Sequence, residues 1–226
     1  MAKARSVILV HGAWADGSSW AKVIPLLLDS GHRAIAVQLP LTSLADDVAT
    51  VRRAIALESD SVVLVGHSYG GAVITEAGLD PKVSALVYIA AFAPDIGESA
   101  SSLGETAEPA PLGAEVRPDA QGFLKLTEAG IANDFAQDLP GLEKKILFAT
   151  QSPTAGAALG ATVSVASWKS RASWCLVATM DRAIPPSLQR SMAKRAGATG
   201  VEVSSSHVAM LSCPQDVANL VLLAVA

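Results

Sequence analysis

Short runs of Val, Ile and Leu recur along the chain, and the stretches between them carry apolar residues at helical spacing. Six of the runs predict strands: Ser6–Val10, Arg33–Gln38, Ser61–Val65, Ala85–Ile89, Ala172–Ala178 and Gly200–Val203. Most are apolar throughout rather than alternating, which is the pattern of strands covered on both faces. Five intervening stretches predict helices: Ser19–Asp29, Ala45–Glu58, Gly70–Gly78, Pro186–Ala196 and Pro214–Ala226. Gly31 follows the first, where a glycine commonly ends a helix, and Pro185-Pro186 precedes the fourth, where a proline starts one. Strand and helix in alternation predict a single α/β domain. Its mostly parallel, doubly wound sheet has about six strands and helices on both faces.

The rhythm stops between Pro94 and Lys169, which is rich in Ala, Gly, Glu, Ser and Pro. So long a stretch without strands reads as an insertion over the sheet, a small helical cap at about 94–169. Its clearest helix is expected at Gln121–Leu139, where Phe123, Leu126, Phe135 and Leu139 recur at helix-like intervals.

Composition narrows the class. A chain of 226 residues with 50% hydrophobic positions supports one sizeable core. A net charge of −4 and no run of like charges exclude the basic footprint of a nucleic-acid binder. The apolar tail Val217–Ala226 is too short to span a bilayer, and Met1–Arg5 leave no room for a signal peptide before the first strand. A cytoplasmic protein is expected, as monomer or homodimer. Cys175 and Cys213 stand alone without a CxxC pattern, and no cluster has metal-ligand spacing, so neither metal nor cofactor is expected.

The chemistry enters at Gly66-His67-Ser68-Tyr69-Gly70, a G-x-S-x-G run between an apolar strand and a helix. In that setting the serine sits on a sharp turn with its Oγ pushed outward, and small neighbours are required on either side. Serine needs a base. Of His11, His32, His67 and His207, only His207 follows the last strand, at the sheet edge where Ser68 must also lie. Asp181, after the strand Ala172–Ala178, completes the order Ser–Asp–His; Asp95, after the fourth strand, is the competing acid. Backbone N–H groups of Tyr69 and of Ala13, in His11-Gly12-Ala13-Trp14, are expected to form an oxyanion hole. Trp14, Tyr69, Phe92 and Phe123 are candidate pocket residues.

Five blocks carry a family resemblance: VILVHGAWADGSSW (7–20), VLVGHSYGGA (63–72), YIAAFAP (88–94), ATMDRAIPP (178–186) and SHVAMLSCP (206–214). Together they resemble the α/β-hydrolase subfamily of plant methyl esterases and hydroxynitrile lyases and its bacterial esterase relatives. The resemblance implies Ser68 as nucleophile, His207 as base and Asp181 rather than Asp95 as acid, with Ala13 and Tyr69 as oxyanion donors. The lyases of that family carry threonine where Gly12 stands and lysine where Val208 stands, the lysine steadying departing cyanide. Their absence here points to a carboxylesterase acting on small-molecule esters. The alternatives are a C–C bond hydrolase or hydroxynitrile-lyase-like enzyme on the same residues, or a receptor of the same fold without turnover.

Overall fold

The computed structural model describes residues 6–226. Met1–Arg5, and the reading of the N-terminus that rests on them, lie outside the described residues. Six strands form one parallel sheet: β1 (Ser6–Val10), β2 (Arg33–Ala36), β3 (Val62–His67), β4 (Val83–Ile89), β8 (Ala172–Ala178) and β9 (Thr199–Val203). Their spatial order is β2-β1-β3-β4-β8-β9, with Val10 beside Gly66 and His67 beside Ile89. The chain leaves β1 toward one edge and β3 toward the other. That reversal opens a crevice at the carboxyl ends of this neighbouring pair.

The apolar runs have a simple cause. Along β1, Ile8 and Val10 face one core while Val7 and Leu9 face a second on the other side of the sheet. The first core is closed by α2 (Leu44–Leu57), α3 (Gly70–Ala77) and α8 (Pro186–Arg195). The second is closed by α1 (Ile24–Asp29) and α10 (Pro214–Val225), through Leu27, Val217 and Val221. Because successive strand side chains point to opposite faces, a strand covered on both sides must be apolar at every position.

Two helix expectations need correction. The stretch Ser19–Asp29 is broken into a single tight turn, Gly17–Trp20, and then α1. Pro25 stands in the first turn of α1, where its missing N–H costs nothing, whereas a helix continued from Ser19 would have needed that donor. The expected helix Gln121–Leu139 is not one helix at all. Asp119 Oδ1 accepts from the amides of Gln121 and Phe123, and Gly122 turns the chain at φ +82°. A hairpin results, β5 (Val116–Pro118) against β6 (Phe123–Leu126), with β7 (Thr154–Ala155) beside β6. Only Glu128–Phe135 of the expected span is helical, ending in a wide turn at Ile131–Phe135. Leu126, Phe135 and Leu139 are still buried, so the periodicity marked burial rather than a helix. The rest of the 94–169 stretch holds α4 (Ala100–Glu105), α6 (Gly141–Thr150) and α7 (Gly156–Gly160).

Among the described residues no helix is long and apolar enough to cross a membrane. Cys175 and Cys213 are both free, and burial pushes the Cys175 thiol up to about 12.

Candidate active site

Four carboxyl-end connections build the site. Ser68 follows β3, residues 11–14 follow β1, Asp181 follows β8, and His207 follows β9. In a parallel sheet these ends share one edge, so positions separated by up to 196 residues in sequence meet there.

Ser68 has φ +53°, a left-handed conformation that side chains rarely adopt, and holding it costs about 1–3 kcal/mol supplied by the surroundings. Its amide donates to Ile89 O at 3.3 Å, while its carbonyl accepts from Gly71 at 3.0 Å and Phe92 at 3.1 Å. The neighbours must be small. A Cβ on Gly66 would stand 2.6 Å from Gly70 O, and one on Gly12 would stand 2.7 Å from Ser68 Cβ.

His207 and Asp181 are buried together. His207 Nδ1 lies 2.7 Å from Asp181 Oδ2. The same oxygen accepts from Gln189 Nε2 at 2.7 Å, and Oδ1 accepts from the amides of Ala183 at 2.7 Å and Ile184 at 2.9 Å. Donors alone surround this carboxyl, which suits the ionised form and assigns the proton between the two residues to His207 Nδ1. That leaves Nε2 as the acceptor toward the cavity. Asp95, the competing acid, instead pairs with Lys169 at 2.5 Å, and that bond holds its carboxyl below the usual range. The acid paired with His207 is therefore Asp181.

The amides of Ala13 and Tyr69 donate to no protein acceptor among the described residues, although both residues are buried. Buried amides are nearly always paired, so two left open beside Ser68 are a feature to explain. Ala13, Ser68, Tyr69 and His207 line one cavity of about 320 Å³. Apart from Ser101 its remaining walls are apolar, with Phe92, Leu112, Val116, Leu159 and Ile184 among them, and among the described residues no Asp, Glu, Lys or Arg lines it. Trp14 also lines it, at φ +57°, and its indole donates to Leu124 O. Phe123 does not. It lies on β6, where the hairpin turns it against the first core, so its place among the pocket residues is corrected.

Two further histidines support this edge. The amide of Leu39 donates to His11 Nε2 at 2.9 Å, which leaves Nδ1–H to donate to Gly12 O at 2.8 Å. Burial lowers the His11 pKa, so a neutral ring braces the 11–14 loop. His67 Nε2 donates to the carbonyl of His207 at 2.9 Å, and the two rings lie 4.6 Å apart. Burial, then the charge of His207, hold the His67 pKa well below its usual value.

Sequence reasoning missed these supports, along with Gln189 and Asp47. The last two had a readable signal: each is a polar residue inside the buried stripe of its helix, Leu44-Asp47-Val48-Val51 on α2 and Leu188-Gln189-Met192 on α8. Asp47 is fully buried and accepts from Leu41 N at 2.8 Å and from the Tyr69 hydroxyl at 2.7 Å.

Burial pushes the Asp47 carboxyl up to about 6, against the lowering pull of those two bonds and with a smaller push from Asp46. A carboxyl whose folded pKa exceeds its unfolded one stabilises the fold fully below the unfolded value. That contribution is lost as pH rises through the folded value. Over pH 4 to 7 the loss amounts to about 3 kcal/mol. Asp47→Asn should therefore gain stability relative to the wild type by that amount across this window in denaturant titrations. A difference that stays flat with pH would refute the raised value.

The chain is similar to several known proteins. The model of the alpha/beta hydrolase family matches residues 7–220. The chain is 35% identical over 126 residues to the carbendazim hydrolyzing esterase of Nocardioides sp. (strain SG-4G), covering 48% of this chain and 50% of that protein. It is 37% identical over 109 residues to Methylesterase 8 of Arabidopsis thaliana, covering 42% and 40%. These matches thus span half or less of each relative's length. Among solved structures, polyneuridine aldehyde esterase superposes with a TM-score of 0.84 at 22% identity, over 97% of this chain and 98% of that one, a likeness of fold. The chain belongs to the alpha/beta hydrolase family.

Proposed function

We propose that the chain is a serine carboxylesterase that cleaves small, uncharged carboxylic esters through an acyl-enzyme on Ser68. The observation that carries this reading is Ser68 on its left-handed turn, sharing one apolar cavity with a histidine whose Nδ1 is held by a buried carboxylate. In this reading His207 Nε2 takes the Ser68 proton as Oγ attacks the carbonyl, then returns it to the departing alcohol. The Ala13 and Tyr69 amides receive the oxyanion, each such donor being worth about 3 kcal/mol in the transition state. Water, deprotonated by the same histidine, then releases the acid. An uncharged cavity wall favours a neutral substrate, since a buried charge without a partner is costly.

Several finer points belong to the same proposal. The 94–169 stretch acts as the cap of a single domain, because Ala100, Leu112, Val116 and Leu159 from it line the cavity. A cytoplasmic enzyme accords with two free thiols. Relatives named as esterases support the reaction class.

The second enzymatic reading is hydroxynitrile cleavage on the same residues. Gly12 offers no hydroxyl, and among the described residues no cationic side chain lines the cavity to receive cyanide. A set of p-nitrophenyl esters from acetate to decanoate, run beside mandelonitrile, separates the readings. Measurable ester turnover with negligible mandelonitrile cleavage above the spontaneous rate is expected. Mandelonitrile cleavage exceeding ester hydrolysis in kcat/KM, and lost in Ser68→Ala, would replace the esterase by a lyase. A single slow turnover would point to a receptor.

A further inference from the structure

The buried carboxyl of Asp47 has no part in the proton transfers above, yet it lies at the centre of a continuous hydrogen-bonded frame. On one side it holds the Tyr69 hydroxyl at 2.7 Å, and the Tyr69 amide is one of the two open donors beside Ser68. On the other side it holds the amide of Leu41 at 2.8 Å. Leu41 stands at φ +57°, fully buried, a strained conformation for a branched side chain that needs such a restraint. Its carbonyl accepts from Ala155 at 2.9 Å, and the hydroxyl of the preceding Thr154 accepts from the amide of Trp14 at 3.2 Å. Trp14 is the residue after Ala13, whose amide is the other open donor. Two residues before Leu41, the amide of Leu39 holds His11, which in turn holds Gly12 O. The frame thus runs from one donor to the other, with Asp47 joining its halves.

We propose that Asp47 is a positioning residue for the oxyanion hole, fixing the Tyr69 amide through the tyrosine hydroxyl and the Ala13 amide through the 39–41 loop and β7. The inference rests on the esterase reading. The reason for a carboxylate is chemical: both partners are donors, and an acceptor-only group with two oxygens satisfies both at once. An asparagine has the same shape but one acceptor oxygen. If that oxygen keeps the Leu41 amide, its NH₂ faces the tyrosine hydroxyl, which must turn to accept.

The test compares Asp47→Asn, Tyr69→Phe and the double variant with the wild type. Measurements are kcat and KM on p-nitrophenyl acetate, inhibition by a boronic acid, and thermal unfolding at pH 8. The boronic acid forms a tetrahedral adduct on Ser68 that presents a negative oxygen to the hole. Asp47→Asn is expected to lower kcat about tenfold, with KM within about twofold and boronate affinity reduced in step with kcat. Its unfolding temperature should be no lower than that of the wild type. Tyr69→Phe should show the same pattern, and the double variant should be no worse than the poorer single one, because both cut the same link. Should Asp47→Asn fail to fold, Tyr69→Phe alone decides, and unchanged kcat and boronate affinity in it overturn the proposal. Wild-type kcat and boronate affinity in Asp47→Asn overturn it too, as does a kcat loss that only tracks the unfolded fraction. A wild type without Ser68-dependent ester hydrolysis overturns the esterase reading itself, and this inference with it.

Discussion

Replacing Ser68 with alanine is expected to reduce kcat for short p-nitrophenyl esters by roughly five to six orders of magnitude, to a residue of activity owed to the oxyanion donors and binding alone. The expectation follows from position. Ser68 shares one cavity with His207, its proposed base, and its strained backbone is held by bonds to Ile89, Gly71 and Phe92 that alanine retains. The variant should therefore fold as the wild type does, so that lost activity reports chemistry. A fluorophosphonate should label the wild type at Ser68 alone, read by mass spectrometry of the digested protein. Labelling at another serine, or ester hydrolysis persisting in Ser68→Ala, would remove the nucleophile from the proposal.

The second large effect concerns the acid. Asp181→Asn should cost roughly 10⁴-fold in kcat while leaving the fold intact. The cause is the proton at His207 Nδ1. An ionised carboxyl accepts it and leaves Nε2 free to take the serine proton. An asparagine that turned its NH₂ toward Nδ1 would favour the other tautomer, with the proton on Nε2, where no base remains for Ser68. The amides of Ala183 and Ile184 would retain an acceptor in the asparagine oxygen, and Gln189, which shares Oδ2 with His207, would keep its bond to Ile184 O, which limits the damage to packing. Asp95→Asn is the matched control. Its carboxyl pairs with Lys169 at the surface, where an exposed ion pair contributes about 0–1 kcal/mol, so activity should stay within about twofold of the wild type. If Asp95→Asn were the inactive one and Asp181→Asn the active one, the assignment of the acid would be reversed.

The effects of Asp47→Asn separate stability from activity. It is expected to gain stability above pH 6 while losing kcat, because the same burial that raises the carboxyl's pKa sets the donors in place. Buried polar residues at functional sites commonly lower stability in this way.

Much of this could be read from the chain alone, and the reason lies in what each signal depends on. Strands covered on both faces must be apolar at each position, so β1, β4 and β8 stand out as runs, and their alternation with helices implies a parallel sheet. The turn at Ser68 demands glycines within two residues, a local requirement that leaves a local mark. Order along the chain then suffices for Asp181 and His207, since connections at the carboxyl ends of parallel strands share an edge. What the chain could not reveal depends on contacts between distant parts. Leu126, Phe135 and Leu139 announce burial, but the turn at Asp119–Gly122 decides that β6 is a strand, and that in turn removes Phe123 from the cavity. The open amides of Ala13 and Tyr69, the neutral His67 against His207, and the bonds of Asp47 to the Tyr69 hydroxyl and the Leu41 amide arise only on folding. Hydrogen bonds between residues 22 to 140 positions apart have no period in the sequence, and only the tertiary structure brings their donors to their acceptors.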